Sequence, residues 1–158
     1  MLFRSVTARF AADVSYGDGE RNLLDIYMPD SDSPTPLVIY VHGGAFVGGD
    51  KSVAHEDLAG DIQAFLQQGI AYATINYYLL STDPLDPDGV IRSLNDSARA
   101  LQFMRYYAAS FNIEPENVAM YGHSAGAGTS LWLGTHDDLA DAGNEDPVLG
   151  ESTRIKAV

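Results

Sequence analysis

An α/β domain with a mostly parallel sheet and helices on both faces is the fold class this sequence predicts, and three observations lead there. Apolar, β-rich runs alternate with amphipathic runs along the whole chain, as they do where strands and helices take turns. Two of the strand-like runs, residues 37–41 and 70–77, are apolar almost without interruption, the pattern of a parallel strand buried on both faces. A third, residues 118–121, passes through a turn bounded by Gly122 and Gly126 straight into a run of small residues that continues as a helix through Leu133.

Taken in order, residues 11–16 and 23–28 read as two strands parted by the turn-forming Gly17, Asp18 and Gly19, an opening hairpin. Strand 37–41 follows Pro34 and Pro36 and stops at His42, Gly43 and Gly44. Leu58, Ile62, Phe65 and Leu66 share one face of a helix that Gly69 can end. Beyond the polar loop 81–89, Val90, Leu94, Ala98, Leu101 and Ala108 place a long helix that ends near Asn112. Residues 135–153 hold Asp137, Asp138, Asp141, Glu145, Asp146 and Glu151 and read as a solvated loop; residues 154–158 read as a strand just beginning.

The chain has 158 residues, the size of one domain, with 46% hydrophobic and 20% charged residues, as in ordinary globular proteins. A net charge of -13 repels phosphates, so nucleic acid is not an expected partner. With no cysteine there is no disulfide framework, thiol nucleophile or thiolate-bound zinc. Residues 1–10 have no apolar core of signal-peptide length, and no stretch has the apolar length of a membrane span, so a cytoplasmic protein is the expectation. The acidic loop 137–151 lacks the spacing of a calcium-binding loop, and no metal site is expected.

Chemistry enters at Gly122-His123-Ser124-Ala125-Gly126. A serine hydroxyl is a poor nucleophile until it is presented alone beside a base, with donors ready for the oxyanion it creates. A sharp strand-to-helix turn presents it, and glycines two residues to either side remove the side chains that would collide with neighbouring elements. Ser124 is therefore the candidate nucleophile and Gly122 and Gly126 its elbow. Past the earlier strand, His42-Gly43-Gly44-Ala45-Phe46 leaves backbone N–H groups uncovered at the same sheet edge. The N–H groups of Gly44, Ala45 and Ala125, with Gly43 as a further contributor, are the candidate oxyanion hole.

On these two motifs and their order the sequence resembles the α/β-hydrolase superfamily, in its carboxylesterase/lipase branch with an HGG-type oxyanion loop. The resemblance implies an α/β-hydrolase fold and a serine esterase that acts on a small-molecule carboxylic ester through an acyl-enzyme, with no cofactor. Ala45 stands where many relatives have a third glycine, but it still supplies an N–H. The resemblance also places a catalytic acid and then a histidine base after the nucleophile. Residues 1–158 are accordingly expected to be the N-terminal part of a single domain, truncated after the nucleophile helix and nearly inactive alone.

None of the four histidines suits the role of base. His42 belongs to the oxyanion loop and is expected to orient it, His123 lies beside the nucleophile, His55 reads as a surface or capping residue, and His136 follows a helix that leads away from Ser124. Phe46, Tyr77, Tyr78, Phe103 and Trp132 are candidates for an acyl pocket or for core packing. A non-catalytic binding module on the same scaffold and an amidase or peptidase are the competing functions. The sequence does not fix the oligomeric state.

Overall fold

The computed structural model describes residues 6–158. Strands β1 (Ala8–Ser15) and β2 (Leu23–Pro29) form the opening hairpin, its turn closed by the Gly19 N–H donating to Asn22 Oδ1 at 2.9 Å. β3 (Thr35–Val41), β4 (Ala71–Ile75) and β5 (Ile113–Gly122) complete one five-stranded sheet in the order β1-β2-β4-β3-β5. The block β4-β3-β5 is parallel, and the hairpin joins it antiparallel through β2 and β4.

Because side chains alternate along a strand, each strand serves two cores. Val38, Tyr40 and Tyr72 face α1 (Val53–Asp57) and α2 (Ala59–Gln67), meeting Ala54, Ile62 and Leu66. Leu37, Ile39, Val41, Ala73 and Ile75 point the other way, onto Ala98, Leu101 and Met104 of α3 (Ile91–Tyr106) and Leu133 of α5 (Ala125–Thr135). Helices thus cover both faces, and the apolar strands β3 and β4 lie in the middle. Gly69, at φ 73°, follows α2 and turns the chain into β4.

Three elements differ from the sequence expectation. The long helix is two, since α3 ends at Tyr106 and α4 (Ala108–Phe111) closes on Asn112 in the left-handed region at φ 53°. β5 starts well before residue 118, pairing Ile113 with Thr35 ahead of a register shift that sets Val118 against Leu37. The acidic segment 135–153 is organised: Asp138 accepts the Thr153 N–H at 2.8 Å and the Ser152 hydroxyl at 2.7 Å. A 3-10 turn, Pro147–Gly150, buries Val148, and Gln102 of α3 donates to the Leu149 and Glu151 carbonyls. The buried Arg105 holds the carbonyls of Pro115, Ser152 and Arg154. From there Ala157 pairs in parallel with Ala119, the Met120 N–H donating to the Ala157 carbonyl at 3.1 Å. Among the described residues no helix is long and apolar enough to cross a membrane.

Candidate active site

Ser124 sits where β5 becomes α5, at φ 53° and ψ -115°, an exposed residue in backbone space that side chains other than glycine rarely enter. Close packing enforces that conformation. A Cβ on Gly126 would overlap the carbonyl of Val41, and one on Gly122 would overlap both that carbonyl and the Gly126 backbone. The end of β3 is thereby wedged against the turn, and α5 starts directly behind Ser124. Its first N–H groups, Ala125 included, lack intrahelical acceptors and carry the positive end of the helix dipole.

The loop after β3 lies against this turn. A Cβ on Gly43 would stand 2.9 Å from the His123 carbonyl oxygen and 3.4 Å from Ser124 Cβ, so the glycine is what lets the two segments touch. Gly44, Ala45 and Phe46 follow at φ 115°, 53° and 63°, and the N–H groups of Val47 and Gly48 both donate to the Gly44 carbonyl at 3.0 Å. That tight turn commits the Gly44 carbonyl to bonds within the loop. Among the described residues the N–H groups of Gly44 and Ala45 meet no acceptor.

His42 is fully buried, stacked on Tyr77 with ring centroids 4.3 Å apart. Its Nδ1 contacts the Gly43 carbonyl at 2.7 Å as donor, while Nε2 has no partner among the described residues. Burial pushes the His42 pKa below its ordinary value, outweighing the Gly43 hydrogen bond, so the ring is neutral at pH 7. Of the other histidines, His123 is exposed beside Ser124, and His136 leans on Trp132 at 4.4 Å with Nδ1 on the Asp137 carbonyl. Among the described residues no histidine hydrogen-bonds Ser124.

The aromatic residues separate. Tyr77 and Phe46 pack together beside the loop, with centroids 5.9 Å apart, whereas Phe103 packs on Tyr107 and Phe111. Tyr78 carries the Arg92 guanidinium 3.6 Å above its ring and donates its hydroxyl to Asp86.

This geometry has known relatives. The family BD-FAE matches residues 24–158. The chain belongs to that family. Over 146 residues it is 31% identical to the protein named Probable isoprenylcysteine alpha-carbonyl methylesterase ICMEL1 of Arabidopsis thaliana, a match that covers 91% of this chain and 29% of the relative. It is 35% identical over 109 residues to Esterase-5B of Drosophila persimilis, covering 67% of this chain and 20% of that one. The chain therefore spans about a third or less of the curated relatives it matches. In fold it is similar to an acetyl ester-xyloside bifunctional hydrolase from Caldicellulosiruptor lactoaceticus, with a TM-score of 0.72 at 23% identity, covering 93% of this chain and 56% of that structure. The α/β-hydrolase architecture and the carboxylesterase-like kinship stand on these matches together with the sheet described above.

The BD-FAE chain also holds a polar cluster that its sequence did not single out. Lys51 and Asp25 are both buried, and the Lys51 ammonium contacts the two Asp25 carboxylate oxygens at 2.7 and 2.8 Å and Asp13 at 2.8 Å. His55 Nε2 donates to Asp25 at 2.7 Å, leaving Nδ1 to accept from the Tyr27 hydroxyl at 2.9 Å. It is thus an internal member of a network rather than the surface or capping residue expected. Burial alone would raise the Asp25 pKa, but Lys51, the Asp13 N–H and His55 outweigh it and hold the carboxyl below its ordinary value. The one sequence signal was a carboxylate set within an apolar strand, between Leu24 and Ile26.

Proposed function

We propose that this chain carries the nucleophile and oxyanion hole of a serine carboxylesterase, the base and its carboxylate partner coming from residues outside residues 1–158. The observation that carries this reading is Ser124 itself: exposed, held at φ 53° at the start of α5, with Gly43 against it. The esterase relatives support the same chemistry.

Ser124 Oγ attacks the carbonyl carbon of a carboxylic ester as the base takes its proton. The carbonyl oxygen becomes an oxyanion and accepts hydrogen bonds from the N–H groups of Gly44, Ala45 and Ala125, with Gly43 able to contribute. Each well-aimed donor accounts for about 3 kcal/mol of transition-state stabilisation. The tetrahedral intermediate collapses, the C–O bond to the alcohol breaks, and the base returns its proton to the alcohol. Water, deprotonated by the same base, then releases the acid from the acyl-serine. Neutral, buried His42 fixes the loop rather than moving protons.

The test is reaction of the complete protein with a fluorophosphonate probe, alongside hydrolysis of short-chain aryl esters. Labelling and turnover that both vanish in Ser124→Ala are expected; absence of labelling in correctly folded wild type sinks the proposal. Residues 1–158 alone should retain only binding and oxyanion stabilisation, about 10³–10⁴ over water.

A further inference from the structure

The Lys51 cluster has more bonds than a surface ion pair needs, and they converge on one segment. Lys51 is the first residue after the glycine-rich loop of residues 42–50. Its N–H donates to Asn76 Oδ1 at 2.7 Å and its carbonyl accepts the Thr74 hydroxyl at 3.0 Å, both at the end of β4. Its ammonium reaches back to Asp25 on β2, directly across the ladder from Thr74. The hairpin is shaped for this contact: β1 bulges between Ala11 and Val14, Asp13 sits at φ 52°, and its own N–H donates to Asp25 Oδ1 at 2.8 Å.

The neighbouring bonds secure the same stretch. Arg21 donates to the Gly49 carbonyl at 2.9 Å and the Tyr77 carbonyl at 3.0 Å, and Asn76 Nδ2 donates to Asp50 at 2.8 Å. At the loop's other end the Tyr77 hydroxyl donates to the His42 carbonyl at 2.8 Å, and in its middle the Leu80 N–H donates to the Phe46 carbonyl at 2.7 Å. Between those points lie Gly43, Gly44, Gly48 and Gly49, with little conformational preference of their own. The position of the free N–H groups of Gly44 and Ala45 therefore depends on the anchors.

We propose that Lys51, clamped by Asp25 and Asp13, is a positioning residue that sets the oxyanion loop at its working distance from Ser124. It touches neither substrate nor reacting atoms. The proposal rests on the serine esterase reading, because only there does loop position govern rate. The ammonium sits on a buried carboxylate, and removing one partner of such a pair leaves a charge that the surroundings must rearrange to solvate. The glycine loop is the part free to rearrange.

Because the hole engages the oxyanion and not the ground-state ester, its displacement lowers kcat and leaves KM nearly unchanged. The double variant Asp25→Asn/Lys51→Met removes both charges together, so that it folds where a single change leaves a buried charge. In the complete protein its kcat on a short-chain aryl ester should fall about 10- to 100-fold, the scale of an ångström-sized misplacement. KM should stay within about twofold. Asp13→Asn, at an exposed carboxylate, should lower kcat by about threefold, consistent with a weaker clamp. Amide exchange at residues 43–49 should quicken in the double variant, while that of residues 122–126 does not. A folded double variant with wild-type kcat overturns the proposal. Should the wild type show no Ser124-dependent hydrolysis, the esterase reading fails on that count, and unchanged loop exchange would separately overturn the anchoring.

Discussion

The turn at residues 122–126 is held by atoms its residues lack, whereas the loop at residues 42–51 is held by hydrogen bonds its neighbours give. In the first, missing side chains on Gly122 and Gly126 let the β3 backbone close on the start of α5. In the second, Arg21, Asn76, Tyr77 and the Asp25–Lys51 pair hold a segment rich in glycine. The difference matters because steric closure tolerates no added atom and ignores pH. A polar scaffold tolerates volume changes but answers to charge. Both converge on Ser124.

That contrast can be broken or sharpened experimentally. The largest expected effect is Lys51→Met alone, which strands the Asp25 carboxylate and should lower stability by about 3–5 kcal/mol in urea unfolding, with much of the loss restored by adding Asp25→Asn. Gly126→Ala should cost about 3 kcal/mol, since the backbone it meets cannot swing away. A shift of less than 1 kcal/mol in that experiment would mean the wedge is not sterically closed. Tyr77→Phe removes the hydroxyl bond to the His42 carbonyl and should cost about 1 kcal/mol. Ser124→Gly should instead raise the unfolding midpoint, relieving about 1 kcal/mol of left-handed strain while abolishing labelling.

Titration gives the smallest effect and the clearest separation. The Asp25 pKa is held below its ordinary value, so its stabilisation is complete above 3.8 and is lost as pH falls through the folded-state value. For Lys51 burial pulls the pKa down, yet Asp13 and Asp25 hold it above 10.5; its contribution is present below 10.5 and fades as pH rises through the folded value. Asp138 is held at about 2: burial would raise it, but the Thr153 N–H and the Ser152 hydroxyl lower it further, so segment 147–156 should loosen in acid below 3.8. Amide exchange followed across pH should show the loop 42–51 responding at both extremes and the turn 122–126 at neither.

What the sequence disclosed follows the same division. β3 and β4 were legible because burial on both faces leaves an unbroken apolar run, α2 because burial on one face writes a period into the residues, the hairpin because its turn needs Gly17 and Gly19, and the turn at Ser124 because close approach demands glycine at fixed spacing. α1 was not, having one buried apolar residue, Ala54, and no side-chain cap at Ser52. The reach of β5 back to Ile113 depends on tertiary pairing with Thr35. Lys51 reads as an ordinary surface lysine, because its partners Asp13 and Asp25 lie in another strand pair. Periodicity cannot report a contact between such distant segments.

The strand order β1-β2-β4-β3-β5 has a consequence for folding during synthesis. The hairpin is made before the rest of this sheet, yet β2 has no sheet neighbour besides β1 until β4 is made, and β4 and the residue after it also bring Thr74 and Asn76. Until residue 77 has emerged, Asp25 and Lys51 have no shared surface to close upon, and the glycine loop between them is unsupported. A nascent chain stalled before that point would carry the hairpin with the β4-facing edge of β2 unpaired, whereas one stalled just after it could already shape the loop that Ser124 later meets.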